Sequence, residues 1–546
     1  MPYSGRQGTQ MSSQLSSTLP SSVSTPITPA HARNQTEVFA VHGADPEVLA
    51  YAMAKYSRSS LSMRQSLREL NAQRAEQFLN TFYFQYGHRS IADLAHVAFA
   101  IERLSLFAAI ILVDEQRWDG QERSTRYQNF LKSGWYLPDF GEATEARDLY
   151  TQTVENLFSA YASTSSTVFE ALKSRVSCPA EMKQDAYERT LKARAFDVAR
   201  YLLPLATNTS LGQIVNARTL ETQVSRLLSH PAAEIRDLGQ KLREAATGPA
   251  WNLYSEDLTA LHTKINGLSP DLAAEYEQLL TREVHASPTL VKYANPNSYK
   301  IQSRAELSAA AAELLADLPL APAPVVDLVE RTETLEVELA ATLIYSVSHH
   351  SYRQIRDLVA SLTEAQIAEI IELGLRHRGR HDELLRTFHA GAALRFDILM
   401  DIGGFRDMHR HRRSTQIIQE FTHLHGYETP ESGDAAGLAE AGIVAQYQAS
   451  VEAAFAASRQ IAQSGAPEAR QSALYLLPLG TRIRSLFKMD FAEALYISEL
   501  RSAPAGHFSY RKVAWEMYLA VQRQHPSLAK YFRVTDFTEP IDILKR

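Results

Sequence analysis

A single cysteine, Cys178, occurs in 546 residues. One thiol can neither close a disulfide within the chain nor supply a multi-cysteine metal site, so the expected setting is a reducing cytoplasm. Cys178 lies between Ser177 and Pro179 with no base nearby in sequence, which reads as a structural residue and not a nucleophile. Long apolar runs are also missing. The longest, 104–113, is interrupted by Ser105 and is too short to span a bilayer, so no membrane partner is expected. A surplus of positive charge is absent as well: a formal net charge of −6 argues against a general nucleic-acid binder. Residues 1–35 have few apolar side chains and much Ser, Thr and Pro. They cannot bury enough surface to offset ordering entropy, and a disordered tail is expected there.

What is present is ordinary for a globular chain, with 45% hydrophobic and 22% charged residues. The length favours two domains over one core. The expected division is a first unit over 36–285, a Pro-rich linker over 286–330 and a second unit over 331–546. Helical periodicity marks 145–175 and 180–200, a charged helix is expected at 60–82, and a further helix opens near Gln213 and runs to about Leu228. Val38-Phe39-Ala40-Val41 is strand-prone, and the polar stretch 114–127 reads as loop. Pro288, Pro296, Pro319, Pro322 and Pro324 make regular structure unexpected in the linker. The fold class is α/β in the broad sense, an α-rich α+β arrangement with a few strands per unit.

Four polar constellations could carry chemistry. In Gln121-Glu122-Arg123-Ser124-Thr125-Arg126-Tyr127, alternation places Glu122, Ser124 and Arg126 on one side of a loop. An arginine beside a hydroxyl suits a phosphate, because the planar guanidinium donates two hydrogen bonds at once; a solvated turn with a local Glu–Arg pair explains the same residues. Arg410-His411-Arg412-Arg413, preceded by His409, is a run of cations that repel unless an anion sits among them. A basic surface loop beside Asp407 is the plainer reading, and no ligand set for a metal is recognisable. Asn216-Ala217-Arg218 could bind a ligand or merely cap a helix. Arg200 and Arg501 each lie near a Leu-Leu-Pro-Leu block, Leu202-Leu203-Pro204-Leu205 or Leu476-Leu477-Pro478-Leu479, and could equally be solvated or ion-paired.

Taken in order, these pieces resemble the flavin-dependent thymidylate synthases. That family's motif reads Arg-His-Arg-x-x-Ser-x-Asn-Glu-x-Ser-x-Arg-Tyr. Gln121-Glu122-x-Ser124-x-Arg126-Tyr127 is similar to its right end, and Arg410-His411-Arg412, with Thr415 in place of the Ser, to its left end. Gly87-His88-x-Ser90-x-x-Asp93, Ala199-Arg200-Tyr201-Leu202-Leu203-Pro204 and Asn216-Ala217-Arg218-Thr219-Leu220 are similar to three further family blocks. Each unit departs where the other conforms. The first has Asp114-Glu115-Gln116, or a residue to either side, where Arg-His-Arg belongs, and Leu227 where the family's activating Arg belongs, with Arg226 one residue off. The second has Ile417-Ile418 for Asn-Glu, Leu474 at the Arg200 position, and Asp490-Phe491-Ala492 for Asn-Ala-Arg, but Arg501 at the activating position.

The resemblance implies a tandem duplication whose two units build one composite site, in a homodimer forming a pseudo-tetramer. It implies conversion of dUMP to dTMP, with FAD as cofactor, NADPH as reductant and methylenetetrahydrofolate as co-substrate. On that basis Arg501 is the catalytic residue. Glu122, Ser124, Thr125, Arg126, Arg200 and Arg410 would bind the nucleotide. His88, Ser90, Asp93, Asn216, Arg218, Arg410, His411 and Arg412 would bind FAD. Two alternatives remain at this stage: a flavin enzyme acting on another pyrimidine nucleotide, and a non-catalytic nucleotide-binding relative.

Overall fold

The computed structural model describes residues 45–55 and 89–542, apart from 281–282, 292–293, 331–332, 380–381, 383, 389–393, 431–436, 530–531 and 540–541. The tail, the strand-prone run at 38–41, the charged helix at 60–82 and His88 lie outside the described residues.

Two antiparallel sheets carry the architecture. The first contains β1 (His96–Ser105), β2 (Asp119–Glu122) and β3 (Asn208–Asn216) in the order β1-β3-β2. The second contains β4 (Val326–Leu328), β5 (Leu394–Asp401), β6 (Thr415–Ile418) and β7 (Arg482–Met489) in the order β4-β5-β7-β6. Helices outweigh strands and the sheets are purely antiparallel, so the fold is α+β. The polar stretch read as loop carries β2. Gln213 does not open a helix: Thr209, Leu211, Gln213 and Val215 are buried in alternation, the period of a strand.

The two sheets repeat each other. β1 runs straight into α1 (Leu106–Leu112), whose N-cap Ser105 accepts from Ala108 N at 2.9 Å. β5 runs into α8 (Ile402–Met408), whose N-cap Asp401 accepts from Gly404 N at 2.6 Å. A hydroxyl or carboxylate at this position binds amides that the helix leaves unpaired. Long helices follow in both units, α2 (Thr144–Arg175) with α3 (Gln184–Ala199) and α9 (Val444–Ala462). After β3 and β7 come α4 (Ala217–Leu228) with α5 (Ala233–Thr247), and α10 (Phe491–Ser502) with α11 (Phe508–Gln524). Asp119 pairs with Ile214 as Thr415 pairs with Lys488, and Ser105 with Asn208 as Asp401 with Arg482. One difference breaks the repeat: β1 shifts register between Glu102 and Leu104, where Arg103 adopts φ 59°. This bulge adds one residue to the first copy. From Ser105 onward it aligns Asp114-Glu115-Gln116 with Arg410-His411-Arg412 and settles the one-residue ambiguity of the sequence.

The Leu-Leu-Pro-Leu blocks bring the copies together. Leu205 N donates to Leu477 O at 2.8 Å and Leu479 N to Leu203 O at 2.9 Å, while Ala206 N reaches Tyr475 O at 2.8 Å and Gly480 N reaches Tyr201 O at 3.0 Å. Pro204 and Pro478 face each other at the centre. In an antiparallel ladder this is a pair that exchanges no hydrogen bonds, so the missing N–H of each proline costs nothing. Leu203, Leu205, Leu477 and Leu479 are at most 1% exposed, and one continuous core takes side chains from both copies. Asp45–Arg546 is accordingly one compact unit. Part of the expected linker is regular: α6 (Ser298–Leu314), capped by Asn297, lies between Pro296 and Pro319, which bound the helix without interrupting it, and α7 (Leu335–Tyr345), capped by Thr334, follows in the second copy.

A shared core makes the copies unfold together. Urea unfolding followed by circular dichroism is expected to give one transition, and Leu203→Ala and Leu477→Ala are each expected to lower stability by about 3 kcal/mol without splitting it. Two separate transitions in the parent chain would contradict this.

Candidate functional site

The polar groups of the two half-motifs meet beside the crossing. Arg126 Nε donates to Asp197 Oδ1 at 2.8 Å, and its Nη1 donates to Tyr510 OH, from α11 of the second copy, at 2.9 Å. Burial lowers the proton affinity of Arg126, but Asp197 outweighs it and raises the pKa far above the usual arginine range. Arg126 is thus held as an interior ion pair, and its guanidinium is not free for the phosphate role expected of it. Glu122, 8% exposed at the side chain, is bound by Arg406 Nη2, again across the copies. Ser124 Oγ accepts from Arg126 N at 3.2 Å, an in-loop turn contact.

Arg200 differs from Arg126. It is 1% exposed, with Nη1 3.4 Å from Thr125 Oγ1 and 4.0 Å from Asp407 Oδ2, while Nε and Nη2 have no hydrogen-bond partner among the described residues. Gly403 packs against this group: a Cβ there would stand 3.5 Å from both idle nitrogens, in van der Waals contact. Unmet donors on a buried guanidinium are unfavourable unless water or an anion meets them.

Arg501 Nε donates to His411 Nε2 at 2.8 Å, and its Cζ lies 5.4 Å from the centre of the Tyr510 ring. His411 therefore carries its proton on Nδ1, which faces Glu493 Oε1 at 3.7 Å. Burial, and then Arg501, push the His411 pKa below its usual value against the pull of Glu493, so the ring is neutral near pH 7. Arg412 Cζ lies 4.5 Å over the Trp118 ring of the first copy, and its Nε and Nη2 lack partners among the described residues. Arg410 is exposed.

Asp93, Asn216 and Arg218 take other partners. Asp93 Oδ1 is 3.4 Å from both Arg117 Nη1 and Arg218 Nε. Asn216 caps α4, accepting from Thr219 N at 2.8 Å, the plainer of its two readings. Arg218 lines a separate cavity of about 550 Å³. Ser90 lies in the turn Arg89–Leu94. Sequence reasoning missed Asp197, Arg406, Tyr510 and Glu493. Arg406 and Asp197 were findable, since each lies a few residues from a motif arginine; nothing local marks Tyr510, which reaches the site only through the crossing. Among the described residues no cluster of three or more His, Cys, Asp or Glu could hold a metal, and no helix is long and apolar enough to cross a membrane.

Two copies of one α+β unit, joined at Pro204 and Pro478 and sharing a polar cluster, define the class of protein. The family described as thymidylate synthase complementing protein matches residues 40–248 and again 327–527, and the chain belongs to that family, in tandem. It is 28% identical to a UPF0159 protein of Chlamydia muridarum, over 90% of this chain and 91% of that protein. It is 25% identical to UPF0159 protein Ta1429 of Thermoplasma acidophilum, over 89% and 94%. A flavin-dependent thymidylate synthase of Clostridium tetani is 26% identical and aligns with 38% of this chain and 81% of its own length. A thymidylate synthase X of Helicobacter pylori crystallised with FAD and dUMP aligns at TM-score 0.23 and 19% identity, over 37% of this chain and 90% of that one.

One buried carboxyl under the cluster gives a pH test. Asp401 binds Ser509 and caps α8, and burial raises its pKa from 3.8 to about 6 despite Ser509 and Arg200. Its folded value lies above its unfolded one, so its contribution is present below about pH 4 and is lost as pH rises through 6. Relative to Asp401→Asn, which keeps the cap, the parent chain should lose on the order of 2–3 kcal/mol between pH 4 and 6. Parallel stability–pH curves for the two proteins would contradict the assignment.

Proposed function

We propose that the chain is a flavin-dependent thymidylate synthase, converting dUMP to dTMP with methylenetetrahydrofolate and NADPH at one composite site between the copies. The observation that carries this reading is Arg200: a buried guanidinium whose Nε and Nη2 have no hydrogen-bond partner among the described residues, packed against Gly403 and beside motif residues from both copies. Those donors suit the nucleotide's phosphate, with Thr125 beside them. Arg126 and Glu122 support the pocket through Asp197, Tyr510 and Arg406 rather than by touching the phosphate. Neutral His411 accepts from Arg501 Nε, which leaves the two Nη groups of Arg501 to meet negative charge as it develops on the pyrimidine carbonyls.

The donor chemistry also fits FAD. The unpartnered Nε and Nη2 of Arg412, stacked on Trp118, and the exposed Arg410 suit an anionic cofactor; these two would hold its phosphates, with His411 alongside, and Ser90 is kept on the motif alone. When bound, the flavin supplies the hydride that NADPH delivers to it. His88, outside the described residues, is kept in this proposal on the motif alone. Asp93, Asn216 and Arg218 are not, because their contacts are to one another's neighbourhood and to Arg117. Two chains forming a pseudo-tetramer and a cytoplasmic setting complete the reading.

Turnover of dUMP with methylenetetrahydrofolate, NADPH and FAD tests it. Arg501→Ala is expected to lower kcat about 100-fold, with the dUMP Kd changed much less. Arg200→Ala is expected to weaken dUMP binding by about 10- to 100-fold. A flavin-loaded chain that binds dUMP yet forms no dTMP would favour a different pyrimidine substrate, and a chain that binds neither flavin nor dUMP would sink the enzymatic reading.

A further inference from the structure

The repeat that builds the composite site builds a second place of the same geometry. Through the β2–β3 and β6–β7 registers and the helices that follow, Asp114-Glu115-Gln116 stands where Arg410-His411-Arg412 stands, Ile418 where Glu122 stands, and Leu227 where Arg501 stands. These residues mark the 550 Å³ cavity, which Glu115, Ile418 and the neighbouring Arg226 line. Even the central pair is imitated: Arg226 Nε donates to Glu115 Oε1 at 2.9 Å, as Arg501 Nε does to His411. With Leu227 buried in place of the activating arginine and acids in place of the cationic motif, the cavity lacks the groups proposed for the reaction.

It has not become inert. Arg117, Arg218, Arg226, Lys300, Arg304 and Arg386 line it beside two lining carboxylates, Asp114 and Glu115, and Arg304 Nη2 also lies 3.4 Å from Glu420 Oε1. Arg117 and Arg218 share a single carboxylate, Asp93. Burial pushes the Asp114 carboxyl up, but Arg386, His409 and Arg226 outweigh it and hold Asp114 below the usual range, as expected of a strongly positive surrounding. Thr387 is 8% exposed, lines the cavity, and its Oγ1 has no hydrogen-bond partner among the described residues. Leu384, Leu385, Ile417, Ile418 and Val347 complete the lining as an apolar wall. Lys300 and Arg304 come from α6, which lies outside both stretches matched by the family. The connecting helix thus adds cations to a site that the duplication alone would not supply.

We propose that this cavity is a second, non-reacting site, which binds a phosphorylated small molecule other than FAD, with at least two negative charges and an apolar ring portion. The cationic side takes the phosphates, Thr387 adds a hydrogen bond, and the apolar wall takes the ring. This does not depend on the reaction at the composite site.

Isothermal titration of the full chain with inorganic pyrophosphate at low salt tests the charged half of the site. The parent chain should bind, and Lys300→Ala/Arg304→Ala should weaken that binding at least about tenfold, since hydrogen bonds to charged groups are lost. Both side chains lie on a surface helix, and an unchanged thermal transition shows that the variant is folded. Thr387→Val should weaken binding a few-fold without altering net charge. Arg200→Ala/Arg410→Ala/Arg412→Ala, which removes the cations proposed for the composite site, should retain it. No pyrophosphate binding by the parent at millimolar concentration overturns the proposal. So does binding that survives Lys300→Ala/Arg304→Ala in that triple background, or binding lost in the triple variant, which would put the anion in the composite site.

Discussion

Four backbone hydrogen bonds in and beside the Leu-Leu-Pro-Leu blocks fix how the two copies meet. Pro204 and Pro478 need no N–H where they stand, and a one-residue slip would put a donorless residue where a donor is required. Leu205 O and Leu479 O then accept from Phe107 N and Gly403 N at 3.1 and 2.9 Å, so the crossing also positions the first turns of α1 and α8. Gly403 lies against Arg200, and α8 carries Arg406 and Asp407 to Thr125, Glu122 and Arg200. The polar cluster is a consequence of the crossing.

This explains how each copy could lose half of a motif. A residue that faces a site from one copy has a counterpart facing the other site, and the two are free to diverge. Arg200 kept its place while Leu474 replaced its counterpart; Arg501 kept its place while Leu227 replaced its own. Charges were redistributed along with them. In the proposed composite site Arg200 and Arg412 have unmet donors, whereas in the mate cavity Arg117, Arg218, Arg226, Arg304 and Arg386 each lie within 4 Å of a carboxylate.

The fold class and the division into two similar halves were legible because helical periodicity and the repeated Leu-Leu-Pro-Leu block are local signals. Strands were harder. Asn208–Asn216 buries alternate residues, yet its polar inward positions Thr209 and Gln213 hide the alternation that apolar residues would display. The bulge at Arg103 blurred the alignment of Asp114-Glu115-Gln116 by one residue, since nothing in Glu102-Arg103-Leu104 announces a positive φ. At the site, motif order drew attention to Arg126, Arg200 and Arg501 alike, and it could not tell an arginine held by Asp197 from one with idle donors. That distinction depends on neighbours far apart in sequence, Tyr510 and Asp197 for Arg126, Gly403 and Asp407 for Arg200.

The central claim is that two copies make one reacting site, and counting bound flavin per chain tests it most directly. The protein saturated with FAD, freed of excess and then denatured, should release one flavin per chain. Two flavins per chain would mean that the mate cavity holds the same cofactor, and would contradict the division of labour between the copies.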